Sequence, residues 1–471
     1  MKNKIVSFVL NYELLLLTCL FRQGAIEKEL KTGFINKTVN YFGNHSSLPM
    51  KIDFAKASFK DFENIEQYSV WQRADIHYEF LEYMKKSGHL NYRLLGNSGC
   101  GPILELEKKD KSGSDKFISL VSNDYLGFTQ HPKVKEASIK AIEQYGTGAG
   151  ASPLIGGYYS YHKEIEDTLC EFFNREPGSA IIYNTGYTAN SSSLMSLLQK
   201  EDIAIVDMAV HASVYEGIQL TNTKRFLHNN LEDLERILKM VQHKYRTKLI
   251  IIDGIYSQDG DMAKLPDIYR LARMYDALIM VDDAHGIGVI GENGKGVLKH
   301  YEMMDKVDFI TGTFSKTFAN IGGFVISNPH MSAFLQYQSR QNAFSATSSP
   351  AVAGVSTAIR LLEQEPQWQA KLWENINHLK KGLQDLGLDV GTSQSAIVPV
   401  KIGDPHKTSE LGSLLLDQGI YTNPILYPAV SKKDARIRMS IMATHSIAQL
   451  DKVLEGFEFA DKKLHISKIK Y

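Results

Sequence analysis

Two short stretches of the chain carry side chains able to bond a small molecule covalently and hold its charge. The run IMVDDAHGIG spans Ile279 to Gly288, and the run ITGTFSKTF spans Ile310 to Phe318. In the first, an apolar β-type stretch delivers Asp282, with His285 just beyond it. In the second, another apolar stretch delivers Thr313, Ser315 and Lys316 within one turn. A lysine amine condenses with an aldehyde, a carboxylate keeps a pyridine-type nitrogen protonated, and hydroxyls beside the lysine grip a phosphate. Those are the groups needed to bind pyridoxal 5′-phosphate (PLP) covalently and to use its ring as an electron sink. Taken singly, each has a plainer reading: Lys316 as a solvated loop lysine, and Asp282 with His285 as a helix cap or a pair of metal ligands.

Further residues, each just past an apolar run, favour the cofactor. The segment from Ser179 to Asn184 reads as a buried strand, and TGYTAN (Thr185 to Asn190) opens a helix. The first N–H groups of a helix lack internal partners, so Gly186 and Tyr187 offer a phosphate seat; a simple helix cap explains that hexapeptide equally well alone. A second strand ends at Asp207, with His211 in the following loop, where an imidazole can stack on a flat ring. A third ends at Asp253 and leads to Ser257. No match is specific by itself, but together they fall in order at successive strand ends. HGIGVIG, through Gly286, Gly288 and Gly291, invites a competing nicotinamide reading. That reading fails because Gly291 runs into Glu292-Asn293-Gly294-Lys295-Gly296, a loop, rather than a helix followed by a strand ending in an acid.

The elements that must position these residues follow from the hydrophobic pattern. Aromatic residues recur at helical spacing between Asp61 and Lys86 (Phe62, Tyr68, Trp71, Tyr78, Phe80 and Tyr83), which predicts an N-terminal helical arm. Residues 92–107 and 117–121 predict a small strand pair. From Pro132 to Asn328, strands alternate with helical segments at 188–198, 231–241 and 267–275. This rhythm predicts an α/β fold with a mostly parallel sheet covered on both faces and ligands at the strand ends. Beyond Pro350 the pattern gives helices at 351–362, 368–386 and 408–418 with strands at 397–402 and 437–441, a compact α+β unit. The expected division is 50–130 for the arm and small strands, 131–345 for the large domain and 346–471 for the small one.

With these motifs in place, the sequence from SNDYLGF (Ser122 to Phe128) to the C-terminus resembles the α-oxoamine synthases. These include serine palmitoyltransferase, 8-amino-7-oxononanoate synthase, glycine C-acetyltransferase and 5-aminolevulinate synthase. The resemblance implies the fold-type I, aspartate aminotransferase-like architecture. It also implies decarboxylative condensation of a small amino acid with an acyl thioester to an α-amino ketone, in sphingolipid or biotin biosynthesis. It places Lys316 as the covalent lysine and base, Asp282 on the pyridine nitrogen, His285 on the ring hydroxyl and His211 on the ring face. Gly186, Tyr187, Ser257, Thr313 and Ser315 complete the cofactor set. Asn123 and Arg438 take the substrate, with Arg438 on its carboxylate.

The run from Phe344 to Thr347 is expected to reach the cofactor phosphate of a neighbouring subunit, which implies a homodimer with shared sites. A helix cap ahead of Pro350 explains Ser345 and Thr347 equally well. Asn423 to Ser446 looks closest to bacterial serine palmitoyltransferases, so serine with a long-chain acyl thioester is the first expectation; 8-amino-7-oxononanoate synthase or glycine C-acetyltransferase activity is the alternative, with glycine, alanine or cysteate, and coenzyme A or acyl carrier protein, left open. The chain departs from the family at ASPLIGG (Ala151 to Gly157), which lacks an arginine, and at Tyr427, where one sphingolipid-forming branch has an arginine.

Composition sets the outer bounds. Lys plus Arg equals Asp plus Glu at 53 each, so no electrostatic case exists for a nucleic-acid partner. Three widely spaced cysteines, Cys19, Cys100 and Cys170, argue against a disulfide framework and fit a reducing cytoplasm. The apolar stretch from Leu14 to Phe21 is too short to span a bilayer, and residues 1–49 are expected to be disordered and to lie upstream of a true start at Met50. A PLP aminotransferase and a decarboxylase or aldol enzyme are rivals on the same scaffold. A catalytically dead regulatory subunit is a third, and it is disfavoured because Lys316 is kept.

Overall fold

The computed structural model describes residues 52–468 apart from 56, 64, 66, 67 and 89, so the expectations for residues 1–49 and for Cys19 fall outside it. The chain divides into two compact units, one ending at Lys86 and the other beginning at Ser87. In the first, helix α1 (Val70–Lys86) buries Ile76 and Phe80, one turn apart on one face. Phe80 stacks on Phe62 with ring centres 4.7 Å apart and takes the edge of Phe59 at 5.6 Å, an aromatic cluster that anchors this short unit.

The second unit begins with β1 (Ile103–Glu105) and β2 (Lys116–Ser119), an antiparallel pair. The strand expected across residues 92–107 is thus much shorter, because Gly96, Gly99, Gly101 and Pro102 break the extended run ahead of it. The main sheet is built from β3 (Ala180–Tyr183), β4 (Ile203–Asp207), β5 (Asn222–Phe226), β6 (Lys248–Asp253), β7 (Leu278–Asp282), β8 (Phe309–Thr313) and β9 (Gly323–Ile326). Their order across the sheet is β3-β9-β8-β7-β6-β4-β5. All neighbouring pairs from β8 through β5 are parallel, and β9 alone runs against its neighbours. The sheet is therefore mostly parallel, as its near-continuous Val/Ile/Leu runs require. Ile250 and Ile252 enter one core and Leu249 and Ile251 the other, so the sheet is buried on both faces.

Beyond the main sheet, β10 (Ile397–Gly403), β12 (Asn423–Ile425) and β13 (Ala435–Ser440) form an antiparallel sheet with β13 in the centre. A two-residue strand, β11 (Ile420–Tyr421), joins β2 in parallel. Among the described residues, no helix is long and apolar enough to cross a membrane.

What matters for function is where the parallel strands stop. The carboxyl ends of β4, β6, β7 and β8 fall along one rim, with Asp253 opposite Asp282 and Asp282 opposite Thr311 in register. Helix α2 (Gly186–Leu197) starts against this rim. A Cβ on Gly323 of β9 would stand 2.5 Å from the Cα and N of Gly186, and one on Gly186 would stand 2.6 Å from the Cβ of Thr313. Only glycine lets the helix start press that closely onto β8 and β9. Gly323→Ala should therefore cost about 1–3 kcal/mol through overpacking. It should lower Tm and weaken PLP retention together, measured by thermal unfolding and by cofactor content after dialysis.

Candidate active site

Gly186, Tyr187, His211, Ser257, Asp282, His285, Thr313 and Lys316 line a single cavity of about 130 Å3 at this rim. Eight of the residues singled out in the sequence thus converge. Ser315 lies beside them, its N–H donating to Thr313 Oγ1 at 3.1 Å. Arg438 stands one contact away, through Ser257, and Asn123 one further, through Arg438. Thr347 instead lines a different cavity, with Leu154 and Tyr337.

Lys316 projects from the turn after β8 into this enclosed space. Burial lowers its ammonium pKa and Arg438 adds to that effect, while Asp282 opposes it; the result is a pKa of about 8. A substantial fraction of the amine is therefore neutral near pH 7–8, the form that is both nucleophile and base. Asp282 is fixed by two donors: Asn190 Nδ2 at 2.6 Å on Oδ2 and the Ala284 N–H at 3.0 Å on Oδ1.

His285 is buried, and its pKa lies well below the ordinary value, first through burial and then through the nearby charges of Lys316 and Arg438. The Tyr125 hydroxyl stands 2.6 Å from its Nδ1, closer than to Asn123 Oδ1 at 3.3 Å. The Tyr125 contact fixes the orientation of the imidazole ring.

His211 caps helix α3 (Ala212–Gly217), accepting from the Ser213 N–H at 3.3 Å. Burial lowers its pKa, so it too favours the uncharged form. Tyr187 stands edge-on to it at 5.9 Å, while the Tyr187 hydroxyl donates to Glu216 at 2.5 Å and so braces the start of α2 against α3.

Arg438 sits on the central strand β13. Its Nε donates to the Ser257 carbonyl at 2.6 Å, and its outer nitrogens donate to Ser440 at 3.0 Å and Asn123 at 3.2 Å. Among the described residues it has no carboxylate partner, although it is only 6% exposed. A buried guanidinium in that state is matched to an incoming carboxylate.

Several residues that shape the cavity were not singled out beforehand. Asn190 and Asp253 line it, and Tyr125 orients His285. Asn190 had a signal: it lies one helical turn beyond Gly186, on the same face. Asp253 had another, as the acid ending the strand beside β7; burial and Asp282 push its carboxyl well above the usual range.

The set fits PLP: an amine for the aldehyde, an anchored carboxylate for the ring nitrogen, a neutral imidazole for the ring hydroxyl, and open helix N–H groups with Thr313 for the phosphate.

Comparison with known proteins agrees with this geometry. The Aminotransferase class I and II family matches residues 115–457. The 8-amino-7-oxononanoate synthase of Thermoanaerobacter pseudethanolicus is 38% identical over 82% of this chain and 97% of its own. A Bacillus subtilis protein named 8-amino-7-oxononanoate synthase 1 is 40% identical over 74% of this chain and 90% of its own. Serine palmitoyltransferase from S. paucimobilis, solved with bound PLP, superposes with a TM-score of 0.79 at 32% identity, covering 85% of this chain and all of that one. The chain belongs to the class I and II aminotransferase family and, within it, to the α-oxoamine synthases, which are PLP-dependent acyltransferases.

The depressed lysine pKa has a direct consequence. Only neutral Nζ condenses with an aldehyde, so PLP uptake by the cofactor-free protein should accelerate about ten-fold per pH unit below the Lys316 pKa and level off above it. The break is expected near pH 8, against the ordinary lysine value of 10.5. Stopped-flow absorbance from pH 6 to 10 measures it; a break near 10 refutes the assignment.

Proposed function

We propose that this enzyme condenses alanine with an acyl thioester whose chain ends in a second carboxylate, the reaction of an 8-amino-7-oxononanoate synthase. The observation that carries the reading is the run of curated relatives with that name, at 37–40% identity over roughly three-quarters or more of the chain. Solved serine palmitoyltransferases stand at 31–33%. This replaces the expectation of serine and a long-chain acyl donor drawn from the Asn423 to Ser446 block. The product's name divides chemically into the Cα and methyl of alanine, joined to a dicarboxylic acyl group.

The roles follow from position. When bound, PLP supplies an electron sink for the bonds around the amino acid's Cα. Arg438 takes the incoming carboxylate on a fork already oriented by Ser257, Ser440 and Asn123. Lys316 Nζ, neutral in part because it is buried, removes the Cα proton. Asp282 would hold the cofactor's ring nitrogen and His285 its ring hydroxyl, both lining the cavity that also holds Lys316. His211, on the same lining, would lie against the ring and could polarise the thioester carbonyl. The new bond joins Cα to the acyl carbon as the thiolate leaves, the amino acid's carboxylate departs as carbon dioxide, and Lys316 Nζ returns a proton to Cα.

The unit of function is a homodimer in which the run from Phe344 to Thr347 reaches the partner's phosphate site. Phe344 and Tyr337 are 69% and 64% exposed in the single chain, and Ile155 is 80% exposed. An apolar cluster of this kind next to Thr347 is suited to covering by a second copy. Sedimentation of the PLP-loaded protein should give twice the chain mass; a monomer that turns over fully rejects this arrangement.

The substrate reading is tested by carbon dioxide release from a panel of amino acids and acyl thioesters. Alanine with a dicarboxylic monothioester should exceed serine with a long-chain saturated thioester in kcat/KM by at least about a hundred-fold, given that one misplaced buried polar group costs several kcal/mol. The reverse preference restores the serine palmitoyltransferase reading.

A further inference from the structure

The loop after β6, residues 254–262, brings Ser257 to the cavity, while its two acidic residues, Asp259 and Asp261, lie outside the lining. Each of those acids is gripped by a cationic side chain from a different part of the fold, half-buried His228 for Asp261 and fully buried Arg436 for Asp259. Asp261 Oδ2 lies 2.9 Å from His228 Nε2 and accepts Asn229 Nδ2 at 2.9 Å. The other ring nitrogen, His228 Nδ1, lies 3.0 Å from Oδ1 of Asp207 at the end of β4. Asp207 Oδ2 in turn accepts the Asn229 N–H at 2.8 Å.

Both nitrogens of His228 thus face carboxylates, and the edge of its ring meets Tyr256 at 4.3 Å. Burial alone would lower the pKa of this imidazole. The bonds to Asp207 and Asp261 outweigh burial and hold it at about 10, so the ring is a cation.

On the other side, Asp259 pairs with Arg436, a fully buried residue of β13, and with Lys401 of β10 at 3.3 Å. Burial raises the Asp259 carboxyl, but Arg436 and Lys401 together leave it lowered. Inside the loop, the Tyr256 N–H donates to the Asp261 carbonyl at 3.0 Å and the Gly260 N–H to the Tyr256 carbonyl at 2.8 Å. The Ser257 carbonyl, which orients Arg438 Nε, therefore lies in a loop held by two charged anchors, two and four residues further along the chain.

We propose that the His228–Asp261 and Asp259–Arg436 anchors are a positioning device for the amino-acid carboxylate, acting through the Ser257 carbonyl on Arg438 without touching substrate. The proposal rests on the reading of Arg438 as the carboxylate ligand. A guanidinium recognises a carboxylate through two parallel donors, so its tilt matters as much as its charge. That tilt is fixed on one edge by Ser257, and the loop bearing Ser257 keeps its place only while both acids stay held. Releasing either one removes a charged hold on the loop, Arg436 keeping its second partner Asp434, and lets the loop relax. The loss falls on carboxylate recognition and spares the phosphate seat, which lies on α2 and β8.

The test uses PLP-loaded wild type, His228→Gln and Asp259→Asn, with Asp261→Asn in place of His228→Gln should that variant not fold. Each is titrated with alanine and with ethylamine, its carboxylate-free counterpart, following the visible absorbance of the bound cofactor. Apparent Kd for alanine should rise about three- to thirty-fold in each variant, the range in which residues that touch neither ligand shift affinity. Kd for ethylamine, PLP content and the resting spectrum should stay at wild-type values. Equal weakening toward both ligands, or none toward alanine, overturns the proposal. A wild-type band that no amino acid shifts overturns the carboxylate reading of Arg438 itself, and this proposal with it.

Discussion

A carboxylate at the end of a central strand buried on both faces needs fixed donors for its oxygens, and the geometry of the site follows from how Asp282 gets them. Burial strips water from a polar group, so donors built into the protein have to take its place. Asn190 and the Ala284 N–H supply two donors, one to each oxygen. The Asn190 amide cannot turn over, because Thr311 Oγ1 donates to its oxygen at 2.7 Å and so commits the NH2 group to Asp282. Helix α2, strand β7 and strand β8 are thereby joined by one hydrogen-bonded chain. The helix start that forms the phosphate seat is placed relative to the acid by the same contacts.

The same low-dielectric space separates the neighbouring groups into distinct protonation states. Lys316 is brought within reach of neutrality, His285 is held neutral, and Arg438, whose pKa burial also lowers, starts from far too high a value to lose its proton. One cation can therefore exchange a proton while the other keeps its charge, and the neutral imidazole near them adds none. Environments that drive titratable groups apart in this way assign acid, base and binding roles.

The sequence made these residues legible because each sits at the carboxyl end of an apolar run, where chemistry and periodicity are read together. What escaped was structure without that signature. Strand β5, NTKRF, is polar at four of its five positions because it is the exposed edge of the sheet. Strand β12 contains Pro424, which only an edge strand tolerates. Asn190 escaped because its role depends on a contact with Asp282, 92 positions further along the chain. The misleading glycine run has a packing explanation. A Cβ on Gly286 would stand 2.0 Å from Oδ1 of the buried Asp283, and one on Gly288, at φ +80°, would stand 2.1 Å from Thr317. Those glycines make room for neighbours rather than for a pyrophosphate.

The choice between the serine palmitoyltransferase expectation and the proposed 8-amino-7-oxononanoate synthase reading turns on what one block of the chain can report. Residues 423–446 build β12 and β13, the frame on which Arg438 is mounted and beside which Arg436 grips Asp259. Every amino acid accepted by such a site presents the same carboxylate to that frame, so likeness there reports on carboxylate recognition and is silent on the acyl chain. Acyl choice has to be written where the thioester lies, beyond the cavity that holds Lys316. A motif shared because it performs the common step cannot discriminate among enzymes that differ in the step around it.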